Sequence, residues 1–187
     1  MAQKKATISI ENVVASATLD QDIDLGAVVR RFPSVEYKPE QFPGLVYRLK
    51  RPKTATLIFS SGKMVCTGAK SERQARMAVM RVIEDLMREG ILAANKPRIQ
   101  IQNIVASATL NGYIDLERST YTLERTMYEP EQFPGLIYRM DEPKVVILLF
   151  ASGKLVCTGA KKEDEVTEAV EKLQKILEEK ELIHYLS

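Results

Sequence analysis

A segment of 61 residues occurs twice in this chain. Residues 10–70 align with residues 101–161 without an insertion or a deletion, and 34 of the 61 aligned positions are identical. Two copies are too few for a solenoid, which needs three or more stacked units and caps at its ends. The repeat therefore predicts a pseudo-dimer of two similar halves, residues 1–92 and 93–187, that binds something with approximate twofold symmetry.

The composition is typical of a globular protein with its own core. Of the 187 residues, 45% are hydrophobic and 28% are charged, a balance that argues against disorder. No apolar run approaches the roughly 18 residues that cross a bilayer, and the N-terminal residues lack the apolar region of a secretion signal. We therefore expect an intracellular protein that does not span a membrane.

Residues that bind metals or act as nucleophiles are sparse. Cys66 and Cys157 occupy the same position in the two copies, with no cluster of His, Cys or acidic residues at ligand spacing beside them. We interpret both as small buried residues of a strand. His184 is the only histidine and has no partner nearby in the sequence. The sequence predicts no metal, no cofactor and no enzymatic activity.

The net charge of +2 conceals a difference between the two halves. Residues 1–91 carry 15 Lys and Arg against 10 Asp and Glu, a balance of +5. Residues 92–187 carry 12 against 15, a balance of −3. Two halves of similar shape therefore differ in charge, which favours different partners at the two ends.

Hydrophobic periodicity predicts the same elements in both copies. Alternating or β-branched runs between turn residues predict strands at 7–19, 44–49, 54–60 and 63–69, and at 98–110 where the second copy begins. Capping residues and apolar stripes predict helices at 24–32, 71–90 and from Asp115 to about Arg125, and a last helix with the stripe Val166, Ala169, Val170, Leu173 and Ile176. Ala93 to Pro97 would join the halves. The pattern favours an α+β fold, a continuous antiparallel sheet with helices on one face.

Strand alternation predicts which side chains face away from the helices. On three strands of the first copy they are Ile10, Asn12, Val14, Ser16 and Thr18; Leu57, Phe59 and Ser61; and Lys63, Val65, Thr67 and Ala69. Such a face is too apolar for an ordinary solvated surface. It is either the inside of a sandwich or a binding surface. Because the chain has no second set of strands to cover it, we favour a binding surface.

The minor groove of DNA fits this face. The basic residues around the apolar centre are Arg48, Lys63 and Lys70 and their copies Arg139, Lys154 and Lys161, matching the phosphates on both rims of the groove. Asn12 and Asn103 can donate hydrogen bonds to adenine N3 or thymine O2, beside Thr67 and Thr158. A guanine amino group would clash there, which predicts a preference for A·T pairs.

Two phenylalanines in each copy are predicted to wedge between base pairs. Phe42 and Phe133 each precede a Pro-Gly pair, which holds the backbone extended before a turn. Phe59 and Phe150 lie at the end of a strand. A strand phenylalanine is more often part of a core, but the repeat and the uncovered face favour insertion into DNA, at a cost of a few kcal/mol per unstacked step.

The repeated blocks resemble the signature segments of a known family. The segments IQNIVASATL (101–110), PEQFPGLIYR (130–139), FSSGKMVCTGAK (59–70) and FASGKLVCTGAK (150–161) are similar to those of the TATA-box-binding proteins. The resemblance covers essentially the whole chain and implies a pseudo-twofold saddle of about ten antiparallel strands with four helices on the convex face. The short N-terminus is similar to that of archaeal members, which act in the cytoplasm; a trimmed core of a nuclear member would be nuclear.

The resemblance also implies a role for each residue of the face. Intercalation is implied for Phe42, Phe59, Phe133 and Phe150. Contacts with bases are implied for Asn12, Asn103, Thr67 and Thr158, and for Val14, Val65, Val105, Val156, Leu57 and Leu148 on the groove floor. Contacts with phosphates are implied for Arg48, Lys63, Arg139, Lys154, Ser61 and Ser152, with Lys70 and Lys161 at the rim.

A place in transcription initiation follows from the same resemblance. The protein would bind double-stranded TATA-box DNA, dock transcription factor B and recruit RNA polymerase through it. The loop that docks transcription factor B would contain Glu129, Glu131 and Gln132. Free of DNA, the exposed apolar face would allow self-association.

A different class of function uses the same face without bending DNA. The protein would then be an interaction module that binds a peptide, a lipid or another ligand on the uncovered sheet. The basic rim and the paired asparagines argue against this alternative, because a lipid-binding face would need neither.

Overall fold

The computed structural model describes residues 5–93 and 96–186, so Ala94 and Asn95 of the predicted linker lie outside the described residues. The helices are α1 (Leu25–Arg31), α2 (Glu72–Arg88), α3 (Leu116–Thr122) and α4 (Glu163–Glu179). The strands are β1 (Thr7–Thr18), β2 (Leu45–Lys50), β3 (Lys53–Ile58), β4 (Lys63–Ala69), β5 (Arg98–Thr109), β6 (Gly112–Ile114), β7 (Thr126–Met127), β8 (Leu136–Met140), β9 (Val145–Leu149), β10 (Lys154–Ala160) and β11 (Ile183–Tyr185). The predicted α+β class, with antiparallel strands and four helices, is confirmed.

Two compact units share the chain. The first unit contains residues 12–102, and the second contains residues up to 11 together with those from 103 onward. Both boundaries fall inside a long strand, β1 or β5. Each unit therefore consists of one repeat and a few strand residues from the other.

The first unit is a sheet with its core on one side. Its strands are hydrogen-bonded in the order β2, β3, β4 and β1, all antiparallel. The apolar stripe of α2 packs against this sheet, as predicted, through Ala78, Val79, Val82, Ile83 and Leu86. The partners on the strands include Ala17, Leu45, Ile58, Met64 and Cys66, all of which are fully buried.

The second unit repeats this arrangement around α4. Its strands follow the order β5, β10, β9, β8 and β7, and β6 pairs with β11 in a separate small sheet. The predicted stripe of α4 is buried except at Ile176, where Leu177 is buried instead. At about 100° per residue, position 177 lies closer than position 176 to the line of Leu173.

Three helices begin at residues whose side chains cap them. Oxygens of Asp24, Ser71 and Asp115 accept hydrogen bonds of 3.0–3.1 Å from backbone N–H groups three residues later, as capping residues do. Helix α3 ends at Thr122, before the predicted position near Arg125. In this last turn the hydroxyl of Thr122 donates back to the carbonyl of Arg118 at 2.7 Å, and such bonds weaken a short helix.

One hydrogen bond between sheet and helix has no copy in the second unit. Tyr47 Oη donates to Asp85 Oδ2 at 2.8 Å, joining β2 to α2. Burial, together with the neighbouring Asp85 carboxylate, raises the pKa of Tyr47 well above its usual value. In the second copy Tyr138 keeps the phenol, but Ile176 replaces the aspartate. The corresponding positions of the second unit therefore cannot form this hydrogen bond.

We expect Tyr47→Phe to lower the free energy of unfolding at pH 7 by about 1.5 kcal/mol, because it removes a hydrogen bond to a carboxylate. The raised pKa also means that the unfolded chain loses this proton first, so wild-type stability falls as the pH rises above about 10. The variant should lack that part of the fall. Urea unfolding of both proteins at pH 7 and above pH ~10 measures the loss of stability and its change with pH. Tyr138→Phe is the matched control, and an equal loss in both variants at pH 7 would contradict this account.

Candidate nucleic-acid interface

In both units the strands bury one face and expose the other. Along β1, Val13, Ala15 and Ala17 are fully buried, while Asn12 and the residues that alternate with it remain partly exposed. The corresponding part of β5 has the same pattern. We call the side of each sheet that faces away from the long helix the open face. The predicted alternation of β1 is confirmed.

Strand register aligns the predicted residues in rows across the open face. In the first unit one row consists of Val46, Leu57, Val65 and Ser16, each opposite the next on the neighbouring strand. The same row in the second unit consists of Ile137, Leu148, Val156 and Ser107. Residues directly opposite each other share a face, so each unit has a continuous, mainly apolar strip.

A β-bulge interrupts the pairing of β4 with β1 close to Asn12. Val13 pairs with Ala69 and Ala15 pairs with Cys66, so Thr67 and Gly68 together stand opposite a single residue of β1. Gly68 has a φ of +103°, which side-chain-bearing residues rarely adopt. The bulge shifts the alternation by one residue and buries Ala69. The prediction that Ala69 shares the face of Thr67 was therefore wrong.

The bulge also determines how the Asn12 amide is oriented. Asn12 Oδ1 accepts the N–H of Gly68 at 2.7 Å, and its Nδ2 donates to Thr67 Oγ1 at 3.1 Å. An asparagine amide has two N–H donors, so one remains for another acceptor. The oxygen is held by the backbone, and the amide therefore offers the open face a donor.

The second unit has the same arrangement. Gly159 also has a φ of +103°, and its N–H donates to Asn103 Oδ1 at 2.7 Å. Asn103 Nδ2 donates to Thr158 Oγ1 at 3.2 Å. All four residues predicted to meet the central base pairs thus form two equivalent pairs.

The four predicted wedges form two aromatic pairs. The ring centroids of Phe42 and Phe59 lie 5.9 Å apart at 67°, and those of Phe133 and Phe150 lie 5.8 Å apart at 65°. These are edge-to-face contacts. Phe42 and Phe133 remain exposed, at 44% and 40%. Each pair thus holds an exposed aromatic ring beside the connection between two strands, β3 and β4 in the first unit and β9 and β10 in the second.

A glycine beneath each pair makes the contact possible. A Cβ on Gly44 would come within 2.7 Å of the Phe42 ring and 3.0 Å of the Phe59 ring, and Gly135 has the same neighbours in the second copy. The loop before it is held by a hydrogen bond of 3.0 Å from Phe42 N to the carbonyl of Lys38. In both copies a hydrogen-bonded turn thus precedes the Phe-Pro-Gly segment, and the segment itself bends before the next strand.

Grooves on the open faces bring several predicted residues together. In the second unit one groove is lined by Ser107, Phe150, Ser152, Lys154 and Val156, among others. In the first unit another is lined by residues that include Arg48, Ala55, Thr67 and Gly68. Both combine apolar, hydroxyl and cationic side chains, a combination suited to sugar and phosphate.

The predicted phosphate-binding residues are exposed, but the two arginines differ. Lys63 and Lys154 lie at the hairpin ends of β4 and β10, opposite Thr18 and Thr109. Ser61, Ser152, Lys70 and Lys161 are also exposed. Arg48 Nη1 lies 2.8 Å from Glu36 Oε1, whereas no ion pair of Arg139 is found among residues 5–93 and 96–186.

The residues predicted to contact transcription factor B lie in an exposed loop. Backbone N–H groups of Gln132 and Phe133 both donate to the carbonyl of Glu129 at 2.9 Å. This turn leaves the side chains of Glu129, Glu131 and Gln132 at the surface. The three side chains are therefore accessible to a protein partner.

Other classes of site receive no support from the described chain. Burial raises the pKa of the Cys157 thiol to about 11 and raises that of Cys66 as well, so both thiols stay protonated and buried. Within the described ranges no group of three His, Cys, Asp or Glu residues is placed to hold a metal ion. None of the helices described is long and apolar enough to cross a membrane.

The family model of Transcription factor TFIID (or TATA-binding protein, TBP) matches residues 7–88 and 98–180. The chain belongs to this family. Members are transcription factors that bind TATA-box DNA and are not enzymes, so the prediction of a non-enzymatic DNA-binding protein is confirmed. Both repeats of the sequence are covered, one by each match.

Known archaeal proteins are similar along most of this chain. The TATA-box-binding protein of Pyrodictium occultum is 60% identical over 171 residues, which is 91% of this chain and 86% of that protein. The one from Sulfolobus acidocaldarius is 59% identical over 169 residues, or 90% and 86%. The solved structure of Methanococcus jannaschii TBP is 49% identical, covers 92% of this chain and 98% of its own, and has a TM-score of 0.83. The predicted archaeal type agrees with these matches.

Sequence reasoning missed two residues of the apolar rows. Val46 and Ile137 stand opposite Leu57 and Leu148 on the open face. Each lies two positions before a predicted phosphate-binding arginine on the same strand. Because alternate residues of a strand share a face, extending the alternation of β2 and β8 back from that arginine would have found both.

We expect Asn12→Ala to destabilise the protein by about 1–2 kcal/mol, because the N–H of Gly68 loses its acceptor at the bulge. Asn12→Asp keeps an acceptor oxygen and should retain most of the stability, although it removes the donor that faces outward. Urea unfolding curves of the two variants measure the difference. Asn103→Ala and Asn103→Asp provide the matched pair in the second unit. Equal losses for alanine and aspartate would show that the bulge does not need this bond.

Proposed function

We propose that the open faces of the two units bind the minor groove of one TATA-box duplex and bend it to start assembly of the transcription machinery. The two repeats, residues 1–92 and 93–187, would act as two halves of one DNA-binding unit. The observation that carries this proposal is the oriented amide, present in both units, beside an apolar strip. The archaeal relatives support a protein that acts in the cytoplasm, at the chromosome.

The oriented amides supply a preference for A·T pairs. The oxygens of Asn12 and Asn103 each accept a backbone N–H and the hydroxyl of the neighbouring threonine, so what each amide has left for DNA is one N–H donor. The floor of the minor groove offers acceptors at adenine N3 and thymine O2, while guanine adds an amino group there. A donor fixed among apolar side chains would have no partner at that amino group. Binding therefore favours A·T steps at the centre of the site.

The phenylalanine pairs supply the bend. Each exposed ring, Phe42 or Phe133, is braced by a second ring and by a glycine-dependent turn. Apolar wedges in the minor groove unstack base steps, and bent DNA then contacts more protein surface. Since the rings are already held in place in the free protein, little conformational freedom would be lost on insertion. The basic residues at the rims would hold the phosphates of the bent duplex.

A TATA duplex with dyes at both ends tests binding and bending together. We expect tight binding and a shorter end-to-end distance on TATA DNA, and neither on a G·C duplex. Phe133→Ala should weaken binding by about tenfold and reduce the shortening, because one base step is no longer wedged open. Tyr121→Ala is the control, since that aromatic side chain is 84% exposed on α3 and is not one of the predicted DNA contacts. Weak, salt-sensitive binding of both duplexes without bending would contradict the proposal and favour an interaction module.

We also infer that the loop at Glu129 docks transcription factor B, and that RNA polymerase follows through this partner. The loop is exposed, and it differs between the copies, because Lys38 stands where the second copy has Glu129. An acidic loop on one repeat gives a basic partner a reason to choose that end. Since the two open faces are nearly alike, this choice would set the direction of transcription.

Reversing the charge of the loop tests this role. The double variant Glu129→Lys with Glu131→Lys should reduce formation of the complex of protein, DNA and transcription factor B by about tenfold, because it places like charges against a basic partner. Binding to DNA alone should not weaken. Glu40→Lys changes the corresponding loop of the first repeat and serves as the control. An unchanged ternary complex in the double variant would place the docking surface elsewhere.

A further inference from the structure

One of the arginines proposed to bind phosphate already forms an ion pair within the protein. Arg48 Nη1 lies 2.8 Å from Glu36 Oε1, and both side chains are more than half exposed. A phosphate would have to replace this carboxylate to reach the guanidinium. The ion pair therefore bears directly on the function proposed above.

Strand pairing places both side chains on the open face. Arg48 stands opposite Ala55, and Ala55 stands opposite Thr67, so Arg48 lies in the row of the Asn12–Thr67 pair. Glu36 pairs with Val46, through backbone hydrogen bonds of 2.8 and 3.1 Å. Since Val46 lies on the open face, so does Glu36. The carboxylate is thus held by the backbone at the outer edge of the predicted DNA contact.

The second unit lacks this carboxylate. Met127 occupies the corresponding position, opposite Ile137 as Glu36 is opposite Val46. Asp141, two residues after Arg139, forms an ion pair with Arg125, and this contact keeps the pKa of Asp141 below its usual value. Arg139 has no ion pair within the described part of the chain. We call the open face of each unit a half-site. The arginine of the first half-site is thus ion-paired, whereas that of the second is not, among the residues described.

We propose that Glu36 competes with DNA phosphate for Arg48, so that the first half-site holds the backbone less tightly than the second. This inference rests on the proposed binding of TATA-box DNA. In the free protein the carboxylate neutralises the arginine. On binding, the guanidinium would exchange it for a phosphate and leave Glu36 solvated beside the duplex.

The exchange changes how binding depends on salt. A phosphate contact from a solvated cation releases a counterion and adds about 0.9 to the slope of log K against log salt concentration. When Arg48 leaves Glu36 instead, the freed carboxylate takes up a cation, and the net release at this contact is close to zero. The first half-site would therefore contribute less to salt dependence than its basic composition indicates. Its affinity would be correspondingly less sensitive to ionic strength.

Exchanging the two residues between the copies tests the proposal. Glu36→Met gives the first half-site the residue of the second, and Met127→Glu does the reverse. Affinity for TATA DNA, measured between about 0.1 and 0.4 M salt, should rise roughly three- to tenfold for Glu36→Met at the low end, with a slope steeper by almost one. Met127→Glu should lower the affinity by a similar factor. Thermal unfolding of each variant shows whether the fold is retained.

A double variant separates competition for Arg48 from general repulsion of DNA by a carboxylate. If Glu36 acts through Arg48, then Glu36→Met should gain little affinity when Arg48→Ala is already present. An equal gain in both backgrounds would overturn the proposal, and so would unchanged affinity and slope in the single variant. Failure of the wild-type protein to bind TATA DNA is a different result, which would reject the proposed function itself.

Discussion

The hydrogen bond from the N–H of Gly68 to Asn12 Oδ1, with its copy between Gly159 and Asn103, is the interaction on which the open face depends. A bulge in a sheet leaves a backbone donor without a partner in the ladder, and an unpaired donor is costly. Here a side-chain oxygen accepts it, and the amide is oriented by the same contact. One bond thus stabilises the irregular strand and directs an N–H donor outward.

Each sheet has one buried face and one open face because the chain supplies a single long helix for each unit. The helix covers one face, and the strands place Val, Leu and Ile on the other face as well. Exposure of an apolar face to water is unfavourable. It is consistent with a surface shaped for a ligand with an apolar floor and charged rims, as the minor groove is. The aromatic pairs extend the same face at its hairpin end.

The copies share their backbone but not their charges. Strand register, bulge and aromatic pairs agree between the units almost residue for residue, whereas Glu36, Lys38 and Asp85 become Met127, Glu129 and Ile176. Substitutions of this kind leave the fold unchanged because none of them lies in the buried core. The first two pairs are exposed, and Asp85 and Ile176 are only partly buried. They give two units of similar fold different electrostatics.

Most of the fold was predictable from the sequence, because period-two strands, capping residues and apolar stripes are local patterns. The short strands β6, β7 and β11 were not, since two or three residues are too few to show a period. Within the site, the sequence by itself determined which residues repeat, which face carries Asn12, Val65 and Phe59, and where Phe-Pro-Gly turns occur. Only the tertiary structure decided the burial of Ala69, the orientation of the amides and the pairing of Arg48 with Glu36. These depend on which strands lie side by side and in what register, and no local pattern in the chain encodes that.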